Sequence, residues 1–159
     1  MIAPSVLLVT GSVWRATREL FSKYATKRVE AGCFWYGQRA EGSAVAVLLG
    51  VPRQLNRPRN FEIRADDLAR LTETVSKLDL VAVAQLHSHP GLNVAHSPWD
   101  DSLVVSKRVY SLVLPNYGRD PIPLRAVGVH RFEEERWLRL SSDVAKAAIQ
   151  FLPDKLDTR

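Results

Sequence analysis

Two histidines and an aspartate stand close together in the segment HSHPGLNVAHSPWDD, at positions 87–101. His87 and His89 are two residues apart, so on a strand they would leave the same face, with Cα atoms roughly 6.5 to 7 Å apart. Both imidazoles could then reach one metal ion at about 2.0 to 2.1 Å, and Asp100 offers a third, anionic ligand. Two imidazoles and a carboxylate, with one position left for water, are typical of catalytic zinc sites. The segment therefore predicts one Zn²⁺ per chain.

The same segment also has a local structural explanation, and a His-x-His pair alone is weak evidence for a metal site. The sequence Ser-Pro-Trp-Asp at 97–100 predicts a helix start, with Ser97 as the cap and Asp100 in the first turn. This start is compatible with a metal site because it would fix the position of Asp100. His96 is an alternative ligand, but as a loop residue beside the cap it is expected to be solvated. Asp101 is expected to lie on the surface.

The elements that hold these residues follow from the hydrophobic pattern. A continuous apolar run at 80–86 predicts a buried strand that leads directly into His87, and Pro90 ends it. Before it we predict a strand at 5–9, a helix at 13–28 capped by Ser12, strands at 29–37 and 43–51, a Pro- and Arg-rich loop at 52–60, a short strand at 61–63 and a helix at 66–78. After it we predict strands at 109–114, 125–132 and 136–140 and a helix at 142–152. This order predicts one α/β domain over 1–159, a central mixed β-sheet flanked by helices.

The composition is that of an ordinary globular protein, with 46% hydrophobic and 25% charged residues in a chain of 159. Cys33 is the only cysteine, so no intrachain disulfide can form, and a reducing cytoplasm is the expected location. Because Cys33 lies in an apolar strand, we expect inert packing rather than a nucleophile. The apolar run near the N-terminus lacks a preceding basic segment and is too short to span a bilayer.

The net charge of +5 leaves two kinds of partner open. The basic residues are scattered, and the densest group is Arg53, Arg57, Arg59 and Arg64. Nucleic-acid binding remains an alternative, although no DNA- or RNA-binding motif accompanies these arginines. A positive surface that attracts an acidic protein is equally compatible.

The full spacing H-x-H-x7-S-x2-D, filled by His87, His89, Ser97 and Asp100, resembles the motif of the JAMM metalloprotease family, the JAB/MPN domain. The chain is similar in length to the minimal prokaryotic members, and its elements over 5–115 follow the family's order. The resemblance implies a JAB/MPN (cytidine-deaminase-like) fold. The family's glutamate lies at the start of the strand after the first helix, in a Glu-x-x-Gly-like context, which implies Glu30 in VEAGCFWYG. The following glycine comes one residue early, so Glu41 and Glu62 remain competitors.

This resemblance also implies a mechanism and a substrate class. Zinc would lower the pKa of its water to roughly 7, Glu30 would act as general base and then acid, and the Ser97 hydroxyl would stabilise the oxyanion. Similar proteins with the full ligand set mostly cleave at the C-terminus of ubiquitin or a ubiquitin-like protein. The implied partners are such a protein or its conjugate and E1-like and E2-like enzymes, by analogy within an antiphage operon. Alternatives are a peptidase of a sulfur-carrier protein in cysteine or thiamine metabolism and a non-catalytic MPN scaffold.

Overall fold

The computed structural model describes residues 3–103 and 106–158. The α/β architecture predicted from the sequence, a mixed sheet flanked by helices, is confirmed. In chain order the elements are β1 (Val6–Val9), α1 (Gly11–Lys27), β2 (Gly32–Ala40), β3 (Ser43–Gly50), β4 (Gln54–Arg57), β5 (Asn60–Ile63), α2 (Ala65–Ser76), β6 (Val81–Ser88), α3 (Pro98–Leu103), β7 (Tyr110–Leu114), β8 (Gly128–Glu133), β9 (Arg136–Arg139), α4 (Ser142–Ala148) and β10 (Ile149–Phe151). Short 3₁₀ turns at Asn116–Gly118 and Leu124–Ala126 connect β7 to β8.

Eight strands form one sheet in the order β10-β1-β3-β2-β6-β7-β8-β9. Strand β6 is central, since it pairs antiparallel with β2 and parallel with β7. Its apolar run fits burial on both faces of the sheet, since Val83, Ala84 and Leu86 are all buried. Pairing with β2 sets Gly32 opposite His87, so the end of β6 lies beside the start of β2. This junction holds the candidate site.

Helices cover both faces of the sheet. Side chains of β2 alternate between the two faces, so they contribute to two different clusters. Cys33 and Trp35 belong to the core cluster that also contains Val13 and Phe21 of α1, whereas Phe34 and Tyr36 join the cluster under α2. In α1, Thr17 is buried, and its hydroxyl accepts a 2.9 Å hydrogen bond from the Trp35 indole N–H. The central strands are therefore held from both sides.

Several predicted boundaries are wrong. Helix α1 begins at Gly11, so Ser12 lies inside the helix, and the N-cap is Thr10 without a side-chain cap bond. Strand β2 begins at Gly32 rather than at 29, and β8 begins at Gly128 rather than at 125. The last helix ends at Ala148 because residues 149–151 pair in parallel with β1, which satisfies main-chain groups at that edge of the sheet.

The predicted loop at 52–60 contains most of a two-stranded hairpin, β4–β5. The Gln54 amide accepts from the Gly32 N–H at 2.9 Å and donates to the Gly32 carbonyl at 2.8 Å. The Asn56 amide donates to the Glu30 carbonyl, and the Glu30 N–H donates to the Arg57 carbonyl at 2.8 Å. These bonds join the hairpin to the segment that precedes β2, next to the end of β6.

Among the described residues, none of the helices combines the length and the hydropathy that a membrane crossing requires.

Candidate metal centre

His87, His89 and Asp100 come together at the end of β6. The Nε2 atoms of the two imidazoles are 3.2 Å apart. One Asp100 oxygen lies 3.2 Å from His87 Nε2, and the other lies 3.4 Å from His89 Nε2. The two histidines and the aspartate are the ligand group that the sequence predicts, and their atoms could hold a metal ion.

These separations fit a tetrahedral metal site. Ligands at about 2.0 to 2.1 Å from a tetrahedral ion are separated from one another by roughly 3.3 to 3.4 Å. The two Nε2 atoms, 3.2 Å apart, and the two Asp100 oxygens, which lie 3.2 Å from His87 and 3.4 Å from His89, are close to this spacing. Two neutral imidazoles and one carboxylate are also a donor set that zinc accepts. The fourth position of the tetrahedron has no ligand from this group and suits water or a substrate.

The two histidines are aligned by the main chain of the sheet. The Ser88 N–H donates to the Ala31 carbonyl, and the His89 N–H donates to the Leu114 carbonyl at 2.9 Å, so strand-like bonding extends past the end of β6. The Nδ1 atom of His89 lies 2.7 Å from the Asn93 carbonyl, which can only accept. Nδ1 therefore carries the proton, and Nε2 keeps its lone pair for a metal.

Asp100 is positioned by the start of α3. Its carboxylate accepts from the Ser97 N–H at 2.7 Å, and the Ser97 hydroxyl accepts from the Asp100 N–H at 3.1 Å. This is the reciprocal bonding of a capped helix start, as the sequence predicts. Asp100 is buried, although it belongs to a short surface helix.

The electrostatics of the group follow from burial and mutual hydrogen bonds. Burial lowers the pKa of His87, against the raising effect of Asp100. The hydrogen bond to Asp100 raises the pKa of His89. Burial alone would raise the pKa of Asp100, but the hydrogen bonds with His87 and His89 outweigh it and hold this pKa well below its usual range. Asp100 is therefore a fixed negative charge in the site.

Glu30 lines the same cleft as His89 and Asp100. It is buried, and this burial raises its pKa to about 7; His89 lowers the pKa and Asp100 raises it. A carboxyl group with a pKa near neutrality can both take and return a proton. The competitors lie elsewhere. Glu41 is exposed in the β2–β3 turn, and Glu62 pairs on the surface with Arg57 at 3.7 Å.

An open cleft of about 620 Å³ leads to the site. One wall is the β5 side of the hairpin, with Arg59 and Phe61, and the other includes Trp99 and Leu103 of α3. Ser97 also lines it.

His96 differs from its prediction. Its side chain is 5% exposed rather than solvated, and it bonds Asp101 and Ser111 instead of joining the candidate ligands. Asp101 is half-exposed, as predicted. Cys33 is buried, and burial raises the pKa of its thiol, in agreement with inert packing.

The arginine group predicted from the sequence is divided in space. Arg59 lines the cleft, whereas Arg53 and Arg64 line a separate recess together with Asp66 and Asp67. Two other arginines near the cleft were not predicted from the sequence. Arg28 and Arg119 line a recess that shares Pro90 with the cleft. These two positions are far apart in the chain, so no sequence pattern could have joined them.

Comparison with known proteins gave a sequence match over half of the chain and a structural match over nearly all of it. No protein-family model matches the sequence. A protein from Sinorhizobium fredii (strain NBRC 101917 / NGR234) named "Probable metalloprotease y4jG" is 35% identical over 85 residues. The match covers 52% of this chain and 52% of that relative, so the chain spans about half the length of the relative.

A solved structure shares the fold. The solution structure of protein DSY2949 from Desulfitobacterium hafniense matches with a TM-score of 0.70, covering 94% of each chain at 13% sequence identity. At that identity the likeness shows the architecture alone.

Proposed function

We propose that this protein is a zinc-dependent peptidase or isopeptidase of the JAMM type. The observation that carries the proposal is the group of two imidazole nitrogens and one carboxylate, with neighbouring atoms 3.2 to 3.4 Å apart, beside a buried glutamate. The relative named as a metalloprotease supports the same class of activity. A cytoplasmic location is part of the proposal.

In this proposal His87, His89 and Asp100 hold Zn²⁺, which when bound polarises a carbonyl and lowers the pKa of water. Glu30 accepts the proton of the attacking water and delivers it to the departing amine, a role that suits its raised pKa. The Ser97 hydroxyl donates to the oxygen of the tetrahedral intermediate. Donation is compatible with its capping bond, because there the oxygen acts only as acceptor.

The proposed substrate is the C-terminal tail of a ubiquitin-like protein, as a conjugate or a precursor. The open cleft between hairpin and α3 suits an extended chain, which needs few side-chain pockets when it binds through main-chain hydrogen bonds. E1-like and E2-like enzymes of the same operon are the proposed partners, and antiphage defence is the proposed setting.

The positive charges around the cleft favour an acidic carrier protein as the substrate. Arg59 stands in the cleft wall, and Arg28 and Arg119 lie beyond Pro90. None of these three side chains has an ion-pair partner among the described residues. A cationic surface beside the cleft would attract an acidic domain. Nucleic acid is a weaker candidate, since Glu30 and Asp100 place carboxyl groups in the lining of the cleft.

Two other functions remain as alternatives. A peptidase of a sulfur-carrier protein would use the same site, and genes for sulfur metabolism beside this one would favour it. A non-catalytic scaffold would need no metal, and the complete ligand set counts against it.

The direct test is cleavage of a fusion between the cognate ubiquitin-like protein and a reporter, with and without a zinc chelator. We expect release after the C-terminal residue, blocked by the chelator. An unfolded peptide with the same tail should be a poor substrate because most binding energy comes from the folded carrier. Equal turnover of that peptide would instead indicate a general peptidase.

A further inference from the structure

A second polar cluster lies beside the candidate ligands and is not part of them. The buried ring of His96 has hydrogen-bond partners on both nitrogens: Nδ1 is 2.8 Å from Asp101 Oδ1, and Nε2 is 2.8 Å from Ser111 Oγ. Ser111 is fully buried in β7. The His96 ring also stacks on His130, with ring centroids 4.0 Å apart and planes at 24°.

The partners define where the protons lie. An ionised Asp101 can only accept, so His96 Nδ1 carries a hydrogen and donates it. In a neutral ring, His96 Nε2 is then the acceptor, and the Ser111 hydroxyl donates to it. The Gln85 amide in turn donates to Ser111 Oγ, at 3.4 Å. One chain of hydrogen bonds thus runs from β6 through β7 to α3.

The order Ser111, His96, Asp101 matches that of a serine hydrolase triad, but nucleophilic catalysis is excluded by burial. Ser111 has no exposed surface, and its hydroxyl points into packed side chains, so a substrate carbonyl cannot approach it. The role of the cluster is therefore within the structure of the protein and not in a reaction with substrate.

The positions of His96 and Asp101 in the chain show which part of the protein the cluster holds. His96 immediately precedes Ser97, and Asp101 immediately follows Asp100, so the two anchored residues enclose the capped turn that carries the third ligand. The other contacts of Asp100 that set its direction come from that same turn and from the histidines.

We propose that His96, Asp101 and Ser111 are positioning residues, which hold α3 so that the Asp100 carboxylate meets both imidazoles. The cluster sets the affinity of the site for metal. This inference rests on the proposed metal site. Partners that orient metal ligands typically change affinity by roughly 10- to 100-fold when they are removed.

The test is metal affinity of the metal-free protein, measured by Co²⁺ titration followed by visible absorption. We expect Ser111→Ala and Asp101→Ala to weaken binding by about 10- to 100-fold. Asp101→Asn keeps an oxygen that accepts from Nδ1, so it should stay within about threefold of the unmodified protein. The matched control is Thr17→Val, which removes a buried hydrogen bond in the α1 core and should lower Tm without changing metal affinity.

A second measurement does not need metal. The Asp101 N–H donates to the Ser97 carbonyl at 3.1 Å within the turn, and its hydrogen exchange should accelerate in Ser111→Ala but not in Thr17→Val. Unchanged exchange together with unchanged Co²⁺ affinity would overturn the inference and leave the cluster as packing. If the unmodified protein bound no Co²⁺ but exchange still accelerated, the metal site would be wrong while the anchoring of α3 would stand.

Discussion

Ser97 and Asp100 each use a side chain to bind the other's main chain: the carboxylate accepts from the Ser97 N–H at 2.7 Å, and the hydroxyl accepts from the Asp100 N–H at 3.1 Å. The Ser97 oxygen is thus engaged as an acceptor, while its own hydrogen stays free to donate. A single serine can therefore cap the helix and serve the reaction at once.

This relationship gives a prediction for Ser97. Removing one oxyanion donor reduces kcat by about 10²- to 10³-fold, and losing a cap destabilises a protein by about 0.5 to 2 kcal/mol. Ser97→Ala should show both losses, whereas Ser97→Thr, which keeps a hydroxyl, should recover most of each. Steady-state kinetics and urea unfolding measure them separately. Full activity in Ser97→Ala would remove the serine from the mechanism.

Metal content tests the candidate ligands. The purified protein should carry about one zinc per chain, and His89→Ala or Asp100→Ala should lose most of it, since three protein ligands are needed to complete the site. Asp66→Ala is a matched control, because Asp66 also lies in the first turn of a helix but is exposed. Elemental analysis that finds full zinc in Asp100→Ala would contradict the assignment.

The glutamate is tested by an isosteric exchange. Glu30→Gln keeps the shape of the side chain but cannot take a proton, so zinc should be retained while kcat falls by about 10²- to 10⁴-fold. Glu41→Gln is the control, because strand β2 separates the two residues by roughly 30 Å. If Glu41→Gln were inactive and Glu30→Gln active, the general base would be misassigned.

Stability of the metal-free protein should report the raised pKa of Glu30. Since burial raises this pKa from 4.5 to about 7, the folded state holds the proton more tightly than the unfolded state. The contribution of Glu30 to the free energy of unfolding is therefore present at low pH and lost as the pH rises from 4.5 through about 7. Glu30→Gln should gain stability relative to the unmodified protein across this window, as urea unfolding at pH 4, 6 and 8 would show. A difference independent of pH would argue against the shift.

Charge reversal tests the acidic carrier. Arg59→Glu, and Arg28→Glu with Arg119→Glu, should lower kcat/KM for the cognate fusion, with the loss shrinking at high salt because exposed charges are screened. Arg125→Glu makes the same change of charge as Arg59→Glu, in a recess that shares no residue with the cleft. An equal loss with Arg125→Glu would mean that only net charge matters.

The sequence predicted the ligand group because it is local: a two-residue spacing at the end of an apolar run, and a helix cap that fixes Asp100. It also predicted the central strand, since burial on both faces leaves a continuous apolar pattern. It did not predict the hairpin, because the docking of β4 rests on the amides of Gln54 and Asn56, which have no periodic pattern. It misjudged His96 for a related reason, since the partner Ser111 lies in another strand.

None of the candidate ligands belongs to the β4–β5 hairpin, although Arg59 at its turn faces the cleft. The attachments of the hairpin to the sheet lie in β4, and the turn itself is held at Pro58, whose carbonyl accepts from the Tyr117 hydroxyl at 3.0 Å. If the proposed function holds, changes in the length or charge of this turn would alter substrate binding without disturbing the candidate ligands. The hairpin would then be a part of the molecule in which the choice of substrate could change separately from the metal site.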